Sequence, residues 1–257
     1  MIIDTNVSLS RWPFRRLRGD DPDDLVSVLQ SRNVRQAWAG SFDGMLHKDI
    51  AGVNSRLAAD CRSHGKGLLI PFGSINPKFP DWQEDVRRCK EDHRMPGIRL
   101  HPNYHGYALT DPVFTELLGL AASRGLIVQL ALRMEDERTQ HPLMRVSPVD
   151  PAPLTDIIKG VPRLRLVILN CSPGAEPEQM RRLSEAGAVY FDFSMLEGLG
   201  GVSRMIRAVT LNRVVFGSNF PFFYFEAALL KVQESGLTEA EKTAIFEENA
   251  SGLLGAP

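Results

Sequence analysis

The residues best suited to chemistry in this sequence lie in the segment from Arg99 to His105. Arg99 and His101 are two positions apart, so in an extended strand their side chains lie on the same side. An arginine there presents a planar fork to an anion, and a nearby histidine exchanges protons around neutral pH. With Tyr104 and His105 close behind, the pattern predicts a carboxylate-binding site. His101-Pro102 is also compatible with a purely structural turn.

A second group of ionisable side chains lies further along the chain, at Glu135-Asp136-Glu137-Arg138 and His141. A carboxylate of Glu135 or Asp136 and the imidazole of His141 would form an acid–base pair if this segment folded over an active site. Four consecutive charged residues are also typical of a solvated loop. We therefore predict catalytic roles for these three residues, with an ordinary surface loop as the alternative.

Asn219 follows a short apolar run and a small polar turn, which is where a barrel strand presents its last polar residue. A carboxylate in this position could hold a metal or accept a proton, whereas an amide is neutral and cannot act as a general base. Arg11 lies in a basic and aromatic segment after the first apolar run and is a candidate ligand for a substrate carboxylate.

The elements that would position these residues are short apolar runs, separated by segments with helical spacing such as Phe114, Leu117 and Leu118. Runs that are apolar throughout are typical of strands buried on both faces of a parallel sheet. The alternation predicts a (β/α)8 TIM barrel in a single domain over residues 1–257, with the long loops on its active face. The eight runs are Ile2–Val7, Gln36–Ala39, Leu68–Ile75, Gly97–Leu100, Leu126–Leu132, Leu164–Leu169, Ala188–Phe193 and Val214–Phe216.

Composition narrows the class of partner. The chain has 30 basic and 31 acidic residues, a net charge of -1, so no global field favours nucleic acid or an anionic membrane. A small-molecule substrate is expected, and a homo-oligomer is compatible with the sequence. Cys61, Cys89 and Cys171 are too few and too far apart for a disulfide framework, and no apolar run approaches the roughly 20 residues of a membrane span. We expect a cytoplasmic protein.

Several short motifs resemble, in their order along the chain, the amidohydrolase-related barrels that include decarboxylases and lactone hydrolases. The likeness covers nearly the whole chain and implies the barrel fold. It also implies a hydrolase or decarboxylase-like lyase activity. The motifs are Ile2-Ile3-Asp4, Ile75-Asn76-Pro77, Gly97-Ile98-Arg99-Leu100-His101-Pro102, Gly217-Ser218, and Asn249-Ala250 with Leu253-Leu254-Gly255.

The resemblance further implies five strand-end positions for metal ligands, and here all five carry other residues. The paired histidines of the first strand fall on Asn6 and Ser8. The single histidine of the fifth strand falls near Ala131, the single histidine of the sixth on Asn170, and the aspartate of the eighth on Asn219. Amides, a hydroxyl and a methyl do not hold zinc or manganese with useful affinity. We therefore expect no metal cofactor there. Asn6, Asn170 and Asn219 become candidates for substrate binding, unless the amides merely satisfy one another.

The leading hypothesis is a hydrolase or lyase for a small anionic compound, with a lost or rebuilt metal centre. In it Arg99 and Arg11 bind the substrate, His101 and His141 exchange protons, and Glu135 or Asp136 acts as base. A non-catalytic binding or assembly protein on the same barrel is the alternative. An ordinary metal-dependent hydrolase is third.

A relocated divalent metal is a further alternative, because three imidazoles and a carboxylate are enough ligands. The spacing of His101 and His105 suits a helical turn better than a loop that contains proline. The four candidate ligands are His101, His105, His141 and Glu135.

Overall fold

A computed structural model describes residues 1–171 and 176–255 of the chain. Seven parallel strands lie side by side in chain order and form a curled sheet, because each strand pairs with the next through an intervening helical segment. The strands are β1 (Ile2–Leu9), β2 (Val34–Ser41), β3 (Leu69–Ser74), β4 (Gly97–Leu100), β5 (Ile127–Ala131), β6 (Arg165–Leu169) and β7 (Ala188–Phe191).

The eighth apolar run closes the barrel without forming a regular strand. The backbone N–H of Val215 donates to Phe191 O of β7 at 3.0 Å, and the N–H of Thr5 in β1 donates to Phe216 O at 2.9 Å. The run ends at Gly217, where an added Cβ would lie 2.7 Å from a carboxylate oxygen of Asp192, so only glycine fits this approach. The predicted barrel is confirmed, with seven regular strands among the described residues.

Helices cover the outer face of the sheet, and a π-helical turn at Ala244–Glu248 joins the last two. Thr238 and Glu241 form a capping box at the start of helix α11 (Glu239–Thr243). Among the described residues no helix is long and apolar enough to cross a membrane. The helices are α1 (Pro22–Ser31), α2 (Asp43–Leu46), α3 (Ile50–Ser63), α4 (Trp82–Glu91), α5 (Pro102–His105), α6 (Pro112–Ser123), α7 (Leu154–Lys159), α8 (Pro177–Ala186), α9 (Gly201–Val209), α10 (Phe225–Gln233), α11 (Glu239–Thr243) and α12 (Asn249–Gly255).

The segment after β4, expected to be a loop, is the short helix α5. Pro102 occupies its first turn, where a missing N–H costs nothing, and the N–H of His105 donates to His101 O at 3.0 Å. His101 and His105 are therefore one helical turn apart. The four-residue spacing of these two histidines, which suits a helical turn better than a loop, is therefore explained by α5.

The core has two layers. The outer layer lies between the sheet and the helices and includes the predicted stripe of Phe114, Leu117 and Leu118, all 0% exposed. The inner layer fills the barrel, where Trp38 and Phe72 stack with ring centroids 4.9 Å apart. The interior is thus packed with side chains, as in other closed barrels of this size.

Candidate active site at the carboxyl ends of the strands

Arg99 lies inside the barrel rather than at its mouth, with 1% of its surface exposed. Its Nε donates to Gln129 Oε1 at 2.8 Å, Nη1 donates to Val7 O at 2.9 Å, and Nη2 donates to Trp38 O at 3.0 Å. Burial lowers its pKa to about 10, so it stays charged at neutral pH. Arg99 therefore ties four strands together, and its predicted contact with substrate stays a prediction.

His101 and His105 are neutral at neutral pH. His101 is 1% exposed, and burial holds its pKa well below the ordinary value of 6.5. Burial also lowers the pKa of His105, whose Nε2 donates to Gly44 O at 2.8 Å. The two rings lie 6.0 Å apart, and His101 Nδ1 has no hydrogen-bond partner among the described residues. His101 is thus a buried neutral imidazole, not a cation.

An aromatic cluster fills the place where the loops after β1, β2, β4 and the eighth run meet. Trp12 packs edge to face against Phe222 at 5.1 Å and Phe42 at 5.5 Å, and Tyr104 lies 6.4 Å from the same indole. Trp12 is buried, as is Phe42. Arg11, predicted to clamp a carboxylate beside this cluster, is exposed. The aromatic side chains therefore close this part of the mouth.

The long segment after β5 contacts the segment after β1. Glu135 is 2% exposed and accepts a 2.5 Å ion-pair contact from Arg15 Nη1. Burial raises the pKa of Glu135, and the guanidinium of Arg15 partly offsets this effect. His141 stacks on Phe14 with ring centroids 5.1 Å apart, and its Nδ1 accepts the N–H of Leu143. Glu135 and His141 share this interface, but among the described contacts no hydrogen bond links them.

Asp136 is held in its ionised form by its own loop. Arg138 Nε donates to Asp136 Oδ1 at 2.9 Å, and the backbone N–H of Arg138 donates to the same oxygen at 2.8 Å. The Arg138 side chain is the main reason that the pKa of Asp136 falls to about 2. So strong a partner makes this carboxylate a poor proton acceptor near neutral pH. Its predicted role as base stays a prediction.

Two of the three predicted amides meet at the strand ends, together with an aspartate that was not among the predicted site residues. Asn6 Nδ2 donates to Asn170 Oδ1 at 2.8 Å and to Asp192 Oδ2 at 2.7 Å. The N–H of Asn170 donates to Asp192 Oδ1 at 2.8 Å, and Ser194 Oγ donates to Asn170 Oδ1 at 2.8 Å. Asn219 donates to Met134 O at 3.0 Å and, among the described residues, shares no hydrogen bond with this group. We call Asn6, Asn170, Asp192 and Ser194 the amide network.

Buried carboxyls in and beside this network have unusually high pKa values. Burial raises the pKa of Asp192 to about 6, although the hydrogen bond from Asn6 opposes the rise. Burial likewise raises the pKa of Asp4 to about 7, against hydrogen bonds from Ser218. Asp192 sits inside the apolar run of residues 188–193, and its strand-end position was the signal that could have identified it.

A cleft of about 850 Å³ opens between the segment after β5, the segment after β7 and helix α10. Ser194 lies on its wall and also belongs to the amide network, so the cleft reaches the strand ends. Lys231 of α10 donates a hydrogen bond to Ser194 O, and burial lowers its pKa. Leu199 and Leu230 line the cleft and are 81% and 58% exposed. The cleft therefore combines a half-buried ammonium with apolar surface and a charged rim. The rim residues are Arg133, Asp136, Glu137, Arg138, Glu197 and Glu234.

The donor set at the strand ends does not fit a metal ion. Asn6 turns N–H groups toward Asn170 and Asp192, and Ala131 has no donor atom. Within residues 1–171 and 176–255, no group of three or more His, Cys, Asp or Glu side chains is arranged to hold one. His101, His105, His141 and Glu135 therefore do not form a relocated site in this arrangement.

Comparison of the whole chain with solved structures returns the same barrel at low sequence identity. A 2,6-dihydroxybenzoate decarboxylase complexed with 2,6-dihydroxybenzoate has a TM-score of 0.77 and 14% identity, with 99% of each chain covered. A putative amidohydrolase from Staphylococcus aureus has a TM-score of 0.76 and 14% identity, again with 99% of each chain covered. These likenesses establish the fold.

A third similar structure contains a metal. It is a 5-carboxyvanillate decarboxylase from Novosphingobium aromaticivorans complexed with manganese and 4-hydroxy-3-methoxy-5-nitrobenzoic acid. Its TM-score is 0.74 at 12% identity, with 99% of this chain and 96% of that chain covered. No curated protein matches the sequence. The family model described as Amidohydrolase matches residues 8–256, and the chain therefore belongs to the amidohydrolase family.

Proposed function

We propose that this protein is a hydrolase or decarboxylase-like lyase that acts on a small aromatic or otherwise apolar carboxylate, without a metal cofactor. We place the substrate in the cleft beside α10. The observation that carries the proposal is Lys231, which lines a cleft of about 850 Å³ and forms no ion pair among the described residues, although Glu197 and Glu234 of the same cleft act on it at longer range. A half-buried cation of this kind is stabilised when an anion binds beside it.

The walls of the cleft match the rest of such a ligand. Leu196, Phe223 and Leu230 provide apolar surface for a ring or short aliphatic body, while the ammonium of Lys231 fixes its carboxylate. Two structurally similar proteins are decarboxylases solved with benzoic acids, which makes this class of ligand the first to test.

Ser194 is the link between the cleft and a group that can exchange a proton. Its hydroxyl lies 3.2 Å from Asp192 Oδ2, and the pKa of Asp192 is about 6. A carboxyl with this pKa changes protonation near neutral pH, as a general acid or base must. In this proposal Lys231 binds, Ser194 contacts the substrate, and Asp192 holds or accepts the proton through Ser194. The loop residues Arg133, Asp136 and Arg138 form the rim.

Calorimetric titration with 2,6-dihydroxybenzoate, benzoate and neutral benzamide tests the binding step. We expect the two carboxylates to bind and Lys231→Met to weaken them by about 10- to 100-fold, which is the loss of one charge-assisted hydrogen bond. Lys159→Met is the matched control, because that lysine is exposed and lies outside the cleft. Equal affinity in wild type and Lys231→Met, or no carboxylate binding at all, refutes the proposal.

Turnover distinguishes an enzyme from the alternative, a non-catalytic binding protein. The aromatic cluster that closes part of the mouth favours this alternative. The protein is first treated with EDTA and then incubated with each carboxylate that binds, and products are identified by mass spectrometry. Loss of CO2 or hydrolysis that disappears in Ser194→Ala supports the enzyme. Binding through Lys231 without any product identifies a ligand-binding protein.

A further inference from the structure

The centre of this barrel contains a connected set of buried polar groups at the strand ends, where the family resemblance implies metal ligands. The amide network joins the ends of β1, β6 and β7 through hydrogen bonds of 2.7–2.8 Å. Asn6 and Asn170 are both 0% exposed, as is Asp192. Within this network only Asn6 Oδ1 has no hydrogen-bond partner among the described residues. The strand ends are therefore already cross-linked by protein atoms.

Arg99 extends the connection to the other side of the barrel. Its guanidinium bonds Val7 O in β1, Trp38 O in β2 and Gln129 in β5. Gln129 in turn donates from Nε2 to Thr5 O at 2.6 Å. The two sets meet in β1, since Asn6 lies between Thr5 and Val7. Together they link six of the seven strands.

Arg99 also supplies a fixed positive charge at the centre of the barrel. The electrostatic fields of both Asp192 and Asp4 favour its charged form, so the guanidinium lies within their range. A divalent cation would do two things here: cross-link strand ends and neutralise buried carboxylates. Side chains already cross-link the strand ends, and Arg99 places one positive charge within range of both carboxylates. Arg99 can do so because Gly40 leaves room for it: a Cβ there would lie 2.7 Å from Nη1.

We propose that Arg99 and the amide network take the place of a metal ion as the structural and electrostatic centre of the barrel. The protein is then complete as a metal-free fold. Ser194 and Asp192 belong both to this network and to the proposed site, but the structural role is tested by stability and metal content, which do not require a ligand in the cleft.

Thermal unfolding of the full chain provides the test, with metal content measured by plasma mass spectrometry. The wild type should contain much less than one transition metal per chain, and neither EDTA nor added manganese should change its Tm. Arg99→Met removes the charge and leaves three buried acceptors unpaired, so its Tm should fall by on the order of 10 °C or more. Arg182→Met, an exposed arginine on α8, should change Tm by only about 2 °C.

Asn170→Ala provides a second measurement if Arg99→Met does not fold. It removes one amide from the network while leaving Arg99 in place, and we expect a fall in Tm that manganese does not reverse. One equivalent of bound metal, a Tm lowered by EDTA, or values for both variants equal to that of Arg182→Met would each overturn the proposal.

Discussion

Asp4 offers a sharp test of the electrostatics inside this barrel, through the single change Asp4→Asn. Its carboxyl is 0% exposed, Oδ1 accepts the N–H groups of Asn6 and Ser218 at 3.0 Å, and Oδ2 accepts Ser218 Oγ at 2.5 Å. Asparagine has the same shape and keeps the two backbone contacts through its oxygen. The main change is therefore the loss of a buried group that titrates.

The size of the effect follows from the two pKa values. In the unfolded chain this carboxyl has its ordinary value of 3.8, whereas burial raises it to about 7 in the folded protein. The folded state therefore binds the extra proton between these values, and the stability contributed by Asp4 falls as pH rises through this window. The full difference between the two pKa values corresponds to about 4 kcal/mol of unfolding free energy. Roughly 2.5 kcal/mol of this is lost between pH 5 and pH 8.

The amide introduced by Asp4→Asn does not titrate, so the variant should gain about 2.5 kcal/mol relative to the wild type between pH 5 and pH 8. Urea unfolding at pH 5, 6.5 and 8 measures this gain. Only the difference between the variant and the wild type isolates the effect of Asp4. Buried His101 has a lowered pKa, so it makes both proteins less stable as pH falls through the same range. Asp156→Asn, whose side chain is 94% exposed, is the control. A difference that is constant with pH, or that shrinks toward pH 8, would show that Asp4 is not desolvated.

Three further changes probe the loops and the last helices. Arg15→Met removes the partner of buried Glu135, and we expect trypsin to cleave the segment after β5 several-fold faster than in Arg15→Lys. Phe42→Ala opens a cavity in the aromatic cluster and should cost about 3–5 kcal/mol of unfolding free energy, measured by urea unfolding. Thr238→Ala removes one half of the capping box with Glu241 and should cost about 1 kcal/mol in the same assay, whereas Thr238→Ser should be nearly neutral.

The fold could be predicted because its signal is repeated. Each buried parallel strand must be apolar on both faces, so β1 to β7 all appear as apolar runs in the sequence. The eighth run carries the same signal, yet it pairs only through isolated bridges such as Phe191 with Val214. An apolar run indicates that a segment is buried, and Val214–Phe216 is buried like the regular strands. Such a run does not report regular backbone pairing, which Val214–Phe216 lacks.

The site was less predictable, because its geometry depends on partners distant in sequence. Arg99 was predicted to bind a substrate carboxylate, and nothing local indicates that Gln129 and Trp38 would take up its donors. Asp192 was hidden by the hydrophobic residues around it. Lys231 lies on an otherwise ordinary amphipathic helix, and only the fold brings it to Ser194. Residue type identifies candidates, whereas tertiary contacts decide which of them face a ligand.

The amide network and the buried guanidinium of Arg99 complement each other electrostatically. A guanidinium at the barrel centre would repel a divalent cation placed at the strand ends, since two charges at close range in a low-dielectric interior interact strongly. Conversely, Arg99 without nearby Asp4 and Asp192 would be an uncompensated buried charge. The amides suit this arrangement because they cross-link without adding charge. A single histidine introduced at Asn6 or Asn170 would therefore break the network without creating a metal site.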